Sequence, residues 1–248
     1  MLEAIDLCKR YDDGHLALDT LNLRVGDGEI YCLLGANGAG KTTTINLFLN
    51  YIRPDSGAAL INGIDMDANP LEAKKHVAYL SENVMLYGNL TARQNLDFFT
   101  QLGGRQGLSR KAYHEVLRRV GLPEKAFEQR VKDFSKGMRQ KVGIAVAVTK
   151  DASALLLDEP MSGLDPKAAA ELVKILLELR EQGKSVLMST HDIFRAKEMA
   201  DRVGIMKNGQ KIAELTAEDL TTLNLEKIYL EYMATEDDPK LPAMKRAS

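Results

Sequence analysis

Gly35-Ala36-Asn37-Gly38-Ala39-Gly40-Lys41-Thr42 fits the spacing G-x-x-x-x-G-K-[ST], directly after an apolar run, Ile30 to Leu34, that reads as a buried strand. Glycines at 35, 38 and 40 let the backbone curl tightly enough to aim successive N–H groups at one anion, at the start of the following helix. Lys41 is placed to reach the β- and γ-phosphates of a nucleoside triphosphate, Thr42 to ligate Mg²⁺, and Thr43 to add phosphate contacts. A second site candidate is Leu155-Leu156-Leu157-Asp158-Glu159, an apolar strand that ends in two acids. Asp158 suits support of Mg²⁺, and Glu159 suits orientation or deprotonation of an attacking water. Two acids after a strand are common on any surface. Together with a phosphate loop they describe nucleotide chemistry.

These groups need a frame. At 248 residues, with 45% hydrophobic and 27% charged, the chain is globular and long enough for a sizeable core. A net charge of −2 without a basic stripe argues against a nucleic-acid partner. No stretch reaches the roughly 18 to 20 apolar residues that cross a bilayer, and Met1-Leu2-Glu3 lacks signal-peptide character, so a cytoplasmic location is expected. Cys8 and Cys32 have neither metal spacing nor a disulfide framework and read as small core residues.

Residues 2 to 25 suggest two strands around the turn Asp12-Asp13-Gly14. A helix from Gly40 to about Asn50 follows, and Asn62-Gly63 and Asn208-Gly209 each mark a hairpin. Leu90 to Val148 reads as a helical insertion, although Val142 to Val148 is valine-rich enough to pass for a strand. Strands over Ala154 to Leu157 and Ser185 to Ser189 flank a helix carrying Leu172, Ile175, Leu176 and Leu179, the alternation of a parallel sheet. Thr235 to Ser248, charged and with two prolines, is expected to be a flexible tail.

In this order the motifs make the chain resemble the nucleotide-binding subunits of ABC transporters over nearly all of residues 1 to 217. Phe134-Ser135-Lys136-Gly137-Met138 is similar to the family's signature sequence, usually close to LSGGQ, and precedes the acidic strand as the family requires. Ser162-Gly163-Leu164-Asp165 resembles the D-loop, His191 the switch histidine, and Tyr11 the aromatic residue that stacks on adenine. The resemblance implies an α/β fold: a P-loop NTPase core with a mainly parallel sheet, an antiparallel β subdomain and a helical insertion over about 84 to 152, with the domain spanning 1 to 234. It also makes Val142 to Val148 helical. ATP and Mg²⁺ become the expected cofactors, bound by Gly35, Asn37, Gly38, Ala39, Gly40, Lys41, Thr42, Thr43 and Tyr11, with Glu159 and His191 catalytic. Ser135 and Gly137 would serve the nucleotide of a second ATP-binding subunit in a homo- or heterodimer that closes head to tail, and Asp165 of the D-loop is a further expected nucleotide-binding residue.

The chain departs from the family pattern where a Gln that senses Mg²⁺ is due, near Tyr79-Leu80-Ser81-Glu82-Asn83. Glu82 stands there as the candidate metal ligand, with Asn83 as the alternative, and a carboxylate adds negative charge beside the phosphates. Lys136 replaces the first glycine of the signature, and Met138 its terminal Gln. The strings Ser81-Glu82-Asn83 and Ser135 to Gln140 look like the exporter-type branch, whose permease subunits are separate transmembrane chains. The resulting expectation is an ATP-hydrolysing subunit at the cytoplasmic face of the membrane, with Glu82 to Leu102 as the surface that meets the permease. The alternative is a soluble ABC ATPase acting on a macromolecular assembly. A single set of motifs and no long coiled-coil insertion weigh against it.

Overall fold

The computed structural model describes residues 1–234, and the tail expected from Thr235 onward lies outside the described residues. The chain opens with two antiparallel strands, β1 (Leu2–Arg10) and β2 (Leu16–Val25), joined across the expected polar turn. β3 (Ile30–Leu34) leads through the glycine loop into α1 (Lys41–Phe48), which closes two residues earlier than the sequence suggests because Asn50 takes the left-handed conformation, φ 53°. β4 (Ser56–Ile61) and β5 (Ile64–Asp65) follow, linked by Asn62 and Gly63 at φ 51° and 77°, the two positive values that a tight hairpin turn requires. The first sheet is therefore β2-β1-β4-β5, antiparallel throughout.

After the single turn α2 (Pro70–Ala73), the chain forms β6 (Val77–Leu80), a strand that sequence patterning does not announce. Three helices come next: α3 (Ala92–Leu102), α4 (Arg110–Arg119) and α5 (Lys136–Lys150), which pack on one another. The valine-rich stretch is helix, inside α5. Ser135 caps its start, and Val142, Ile144 and Ala145 are buried in the core beside α3 and α4, so burial worth about 1.5–3 kcal/mol per large side chain outweighs a propensity deficit of a few tenths.

Strand, helix and strand alternate as expected over residues 154–190, and the three helices that follow among the described residues are not announced by sequence patterning. β7 (Ala154–Asp158), α6 (Pro166–Glu181), β8 (Ser185–Thr190), α7 (Ile193–Met199) and β9 (Arg202–Lys207) are followed by β10 (Gln210–Thr216), α8 (Ala217–Thr222) and α9 (Leu225–Ala234). The second sheet has the order β10-β9-β3-β8-β7-β6, parallel except for β10 at its edge.

All five residues of β3 are buried, and its alternation assigns them to two cores. Ile30, Cys32 and Leu34 face the core shared with the helices, whereas Tyr31 and Leu33 face the core shared with the antiparallel sheet and α1. A strand covered on both faces is apolar at every position, which is why it reads as a continuous run. Of the two cysteines only Cys32 is a core residue, and burial pushes its thiol up. Cys8 is half-buried on β1, where an irregularity after Ile5 shifts the pairing with β4 and the Thr20 N–H reaches its sulfur at 3.2 Å. Leu156, fully buried on the face of β7 opposite Leu155 and Leu157, tests the double-sided core. Leu156→Ala is expected to cost about 2–5 kcal/mol in urea denaturation.

Candidate functional site

The register of the parallel sheet decides which side chains meet. Leu34 pairs with Thr190, Asp158 with Ser189, and Leu80 with Leu157, so β3, β8, β7 and β6 end level with one another. The groups singled out in the sequence follow those ends at the sheet's C-terminal edge, where open α/β sheets bind ligands.

The loop after β3 begins with a tight approach. A Cβ on Gly35 would lie 2.6 Å from the Met206 carbonyl oxygen, and one on Gly40 would lie 2.7 Å from that of Ala17. Gly38 and Gly40 also sit at φ 83° and 105°. Gly40 is the N-cap of α1 and offers no side chain, so the helix's first N–H groups are left for a ligand.

Lys41 is only 6% exposed. Its ammonium donates to the carbonyls of Gly35 at 2.6 Å and Ala36 at 3.2 Å and lies 3.7 Å from Glu159 Oε1. Burial pulls the Lys41 pKa below its usual value, opposed by the charges of Glu159 and Asp158. Thr42 Oγ1 donates to Asp158 Oδ1 at 3.3 Å, which places a hydroxyl and a carboxylate side by side, as a hard divalent cation prefers. Burial, with Asp158 adding to it, pushes the nearby Tyr79 phenol up to about 12.

Glu159 takes the left-handed conformation at φ 47°, and its N–H is held by Ser189 Oγ at 3.0 Å and Ser189 O at 3.2 Å. The same hydroxyl donates to Asp158 Oδ1 at 2.5 Å. One buried serine thus ties both acids to β8. His191 lies 2.9 Å through Nδ1 from Glu159 Oε2 and is otherwise exposed. With its proton on Nδ1, it donates to that carboxylate.

Tyr11, Asn37, Gly38, Ala39, Gly40, Lys41, Thr42, Thr43, Glu82, Asp158 and Glu159 line one cleft of about 370 Å³. Tyr11 stands at its rim with its hydroxyl 3.4 Å from Thr43 Oγ1. Ser135, Gly137, Asp165 and His191 are not part of this lining. Ser135 caps α5 through the Met138 N–H, Asp165 caps α6 through the Ala168 N–H, and both residues are exposed. Gly137 allows contact with α6, since a Cβ there would lie 3.0 Å from that of Ala168.

Sequence reasoning missed Ser189 and Ser162 as partners, and His15 as a lining residue. A hydroxyl that pairs only after strands align leaves no local pattern. His15 does carry a weak signal, since its carbonyl accepts the Tyr11 N–H at 2.9 Å within the same turn.

Between β6 and α3 the chain exposes apolar side chains: Met85 is 84% exposed and Tyr87 52%, its ring stacked edge-on to Phe98 with centroids 4.6 Å apart, while Leu102, 70% exposed, stands at the far end of α3. Buried Asn95 fixes this segment, accepting the Tyr87 N–H at 2.8 Å and donating to the carbonyls of Tyr87 and Thr91.

A strand, a glycine loop and a helix N-terminus, with two acids at the end of a strand one place removed in the same parallel sheet, define a P-loop nucleotide-binding protein. The ABC transporter family profile matches residues 18–162, and the chain belongs to that family. It is 34% identical over 247 residues to the bacitracin transport ATP-binding protein BcrA of Bacillus licheniformis, covering 99% of this chain and 79% of that protein. It is 36% identical to the probable multidrug ABC transporter ATP-binding protein YbhF of Escherichia coli K12, over 89% of this chain, and spans 38% of that protein's length. Among solved structures, an ATP-binding subunit of an ABC transporter superposes with a TM-score of 0.82 at 32% identity, over 94% of this chain and 99% of the other. A dimeric ATP-binding cassette in a post-hydrolysis state bound to ADP and Pi gives 0.78 at 26% identity, over 88% and 99%. The fold is therefore that of an ABC cassette, as the sequence motifs imply.

Ser189→Ala removes the hydroxyl shared by Asp158 and Glu159. It is expected to lower ATP turnover about tenfold, equivalent to one hydrogen bond of about 1.4 kcal/mol, as measured by steady-state phosphate release.

Proposed function

We propose that the chain binds Mg²⁺·ATP in the cleft beside Lys41 and hydrolyses it to drive a membrane exporter. The observation that carries this reading is the position of Glu159, between the Lys41 ammonium at 3.7 Å and His191 at 2.9 Å, at the mouth of a phosphate loop. The loop N–H groups and Lys41 bind the phosphates, and Tyr11 offers its ring to the base. Thr42 and Asp158, with Glu82 on the same cleft wall, supply oxygen donors for Mg²⁺. Among the described residues no cluster of three or more His, Cys, Asp or Glu forms a metal cage, and an ion shared with phosphates needs none. When bound, the metal would neutralise developing charge on the phosphoryl oxygens. Glu159 orients the attacking water and accepts its proton, and His191 steadies that carboxylate.

Ser135, Gly137 and Asp165 lie outside the cleft of their own chain, which supports a head-to-tail pair in which each copy presents its signature turn to the other's nucleotide. Loss of the γ-phosphate then removes the link between the copies and lets them part. A permease on a separate chain would receive the motion, as the exporter-type motifs suggest, and no helix among the described residues is long and apolar enough to cross a membrane. The exposed apolar side chains around Met85, Tyr87 and Phe98 suit an apolar segment of that permease at the cytoplasmic face. The bacitracin and daunorubicin names of relatives favour export.

Glu159→Gln should retain ATP binding while turnover falls by about 10²–10⁴, and undiminished phosphate release would remove Glu159 from the mechanism. Met85→Asp should release the chain from detergent-purified membrane complexes, with co-purification falling about tenfold and ATP binding preserved. Equal recovery of the permease would move the contact elsewhere.

A further inference from the structure

Glu82 places a carboxylate where its charge opposes the phosphates, on the wall of the cleft that holds Lys41, Asp158 and Glu159. The structure surrounds it with compensation. Lys136 Nζ lies 3.5 Å from Glu82 Oε1, and Ser162 Oγ donates to the same oxygen at 2.8 Å. Ser162 holds the Glu82 carboxyl below the usual glutamate range, opposed by burial and reinforced by Lys136.

The main chain of Glu82 is held as well. Gln140, one turn beyond Lys136 and 1% exposed, donates from Nε2 to the Glu82 carbonyl at 3.0 Å. α5 can come this close because residue 143 is glycine, where a Cβ would lie 2.3 Å from Leu80 Cδ1 and 3.1 Å from Val84 Cγ1. Three segments that are distant in sequence therefore meet on one carboxylate: the end of β6, the first turn of α5, and the turn before α6. Gln140 Oε1 is the buried side-chain oxygen without a hydrogen-bond partner among the described residues, so α5 has not used all of its bonding capacity in this arrangement.

We propose that Lys136 is a positioning residue whose ion pair neutralises Glu82 and ties it to the first turn of α5 while nucleotide occupies the cleft. The same ammonium, with three donors, also has N–H groups to offer to the phosphates of a second copy's nucleotide. The two departures from the family pattern are one device: a carboxylate at position 82 is tolerated beside phosphates because a lysine stands at position 136. The ion pair is partly exposed, so its ammonium is open to a second copy as well.

The proposal rests on the nucleotide reading of the cleft and is tested on the full chain in a Glu159→Gln background. ATP affinity is measured with a fluorescent ATP analogue, with Mg²⁺ and separately with EDTA, for the parent, Lys136→Ala, Lys136→Arg, Glu82→Gln and the Lys136→Ala/Glu82→Gln pair. Lys136→Ala is expected to weaken binding about three- to fivefold with Mg²⁺ and more with EDTA, when the unpaired carboxylate faces the phosphates without a metal. Lys136→Arg stays within about twofold of the parent, and with EDTA, where no metal depends on residue 82, adding Glu82→Gln to Lys136→Ala restores affinity to that range, because no carboxylate is left to compensate. Single effects that simply multiply in the double variant, or an unchanged Lys136→Ala, overturn the ion-pair proposal while parent binding upholds the nucleotide site. Failure of the parent to bind ATP overturns both. Nucleotide-induced association, followed by sedimentation, is a second readout: Lys136→Arg associates as the parent does, and Lys136→Ala/Glu82→Gln associates more weakly although it binds ATP. Association equal to the parent's in that double variant removes the ammonium from the contact between copies.

Discussion

A positive charge held almost out of water is the constraint around which this protein is arranged. The Lys41 ammonium is kept at the end of β3 by the carbonyls of Gly35 and Ala36 and by Glu159, and each of those groups is itself held by something larger. The carbonyls can turn inward only because the loop has glycines where side chains would strike Ala17 and Met206. Glu159 can stand opposite only because β7 and β8 end in register and Ser189 fixes its backbone. An ammonium removed from water without such partners would shed its proton or disrupt the site. The double-sided core exists to keep these strand ends level.

The chemical groups therefore divide into two sets by how they are held. Asp158, Glu159, Thr42 and Lys41 sit on strand ends or the first turn of a helix, where neighbouring hydrogen bonds leave little freedom. Ser135 and Asp165 cap helices from outside the lining of their own cleft, and a capping side chain already committed to its helix is a fixed platform for a surface that approaches from outside. A rigid half-site and a complementary platform on the same chain suit association of identical or similar copies, each completing the other.

The sequence revealed the chemistry more readily than the contacts that regulate it. The glycine loop, the acid pair and the Asn-Gly turns at 62–63 and 208–209 carry local rules, since turn geometry and phosphate binding demand particular residues at fixed spacing. β6 left little trace because four residues with one partner strand give too short an alternation to recognise. The helicity of Val142 to Val148 followed from resemblance and not from propensity, because it is set by burial against α3 and α4. The roles of Ser189 and Ser162 were not legible at all: serine is at home in turns, strands and surfaces alike, and only the folded register brings these two hydroxyls to carboxylates. Lys136 and Glu82 were each visible as oddities, and their distance in sequence hid that they are partners.

The unequal environments of the two cysteines have a practical consequence. Cys32 is sealed in the core, whereas Cys8 lies at a shallow depression lined also by Arg10, Tyr11 and Asp55, and its thiol is drawn below the ordinary value chiefly by the Ser56 hydroxyl. The unaltered chain thus carries one addressable sulfur, next to the aromatic ring at the rim of the cleft. A small environment-sensitive dye attached there would act as a built-in optical gauge of what enters the cleft, without any residue having been exchanged to install it.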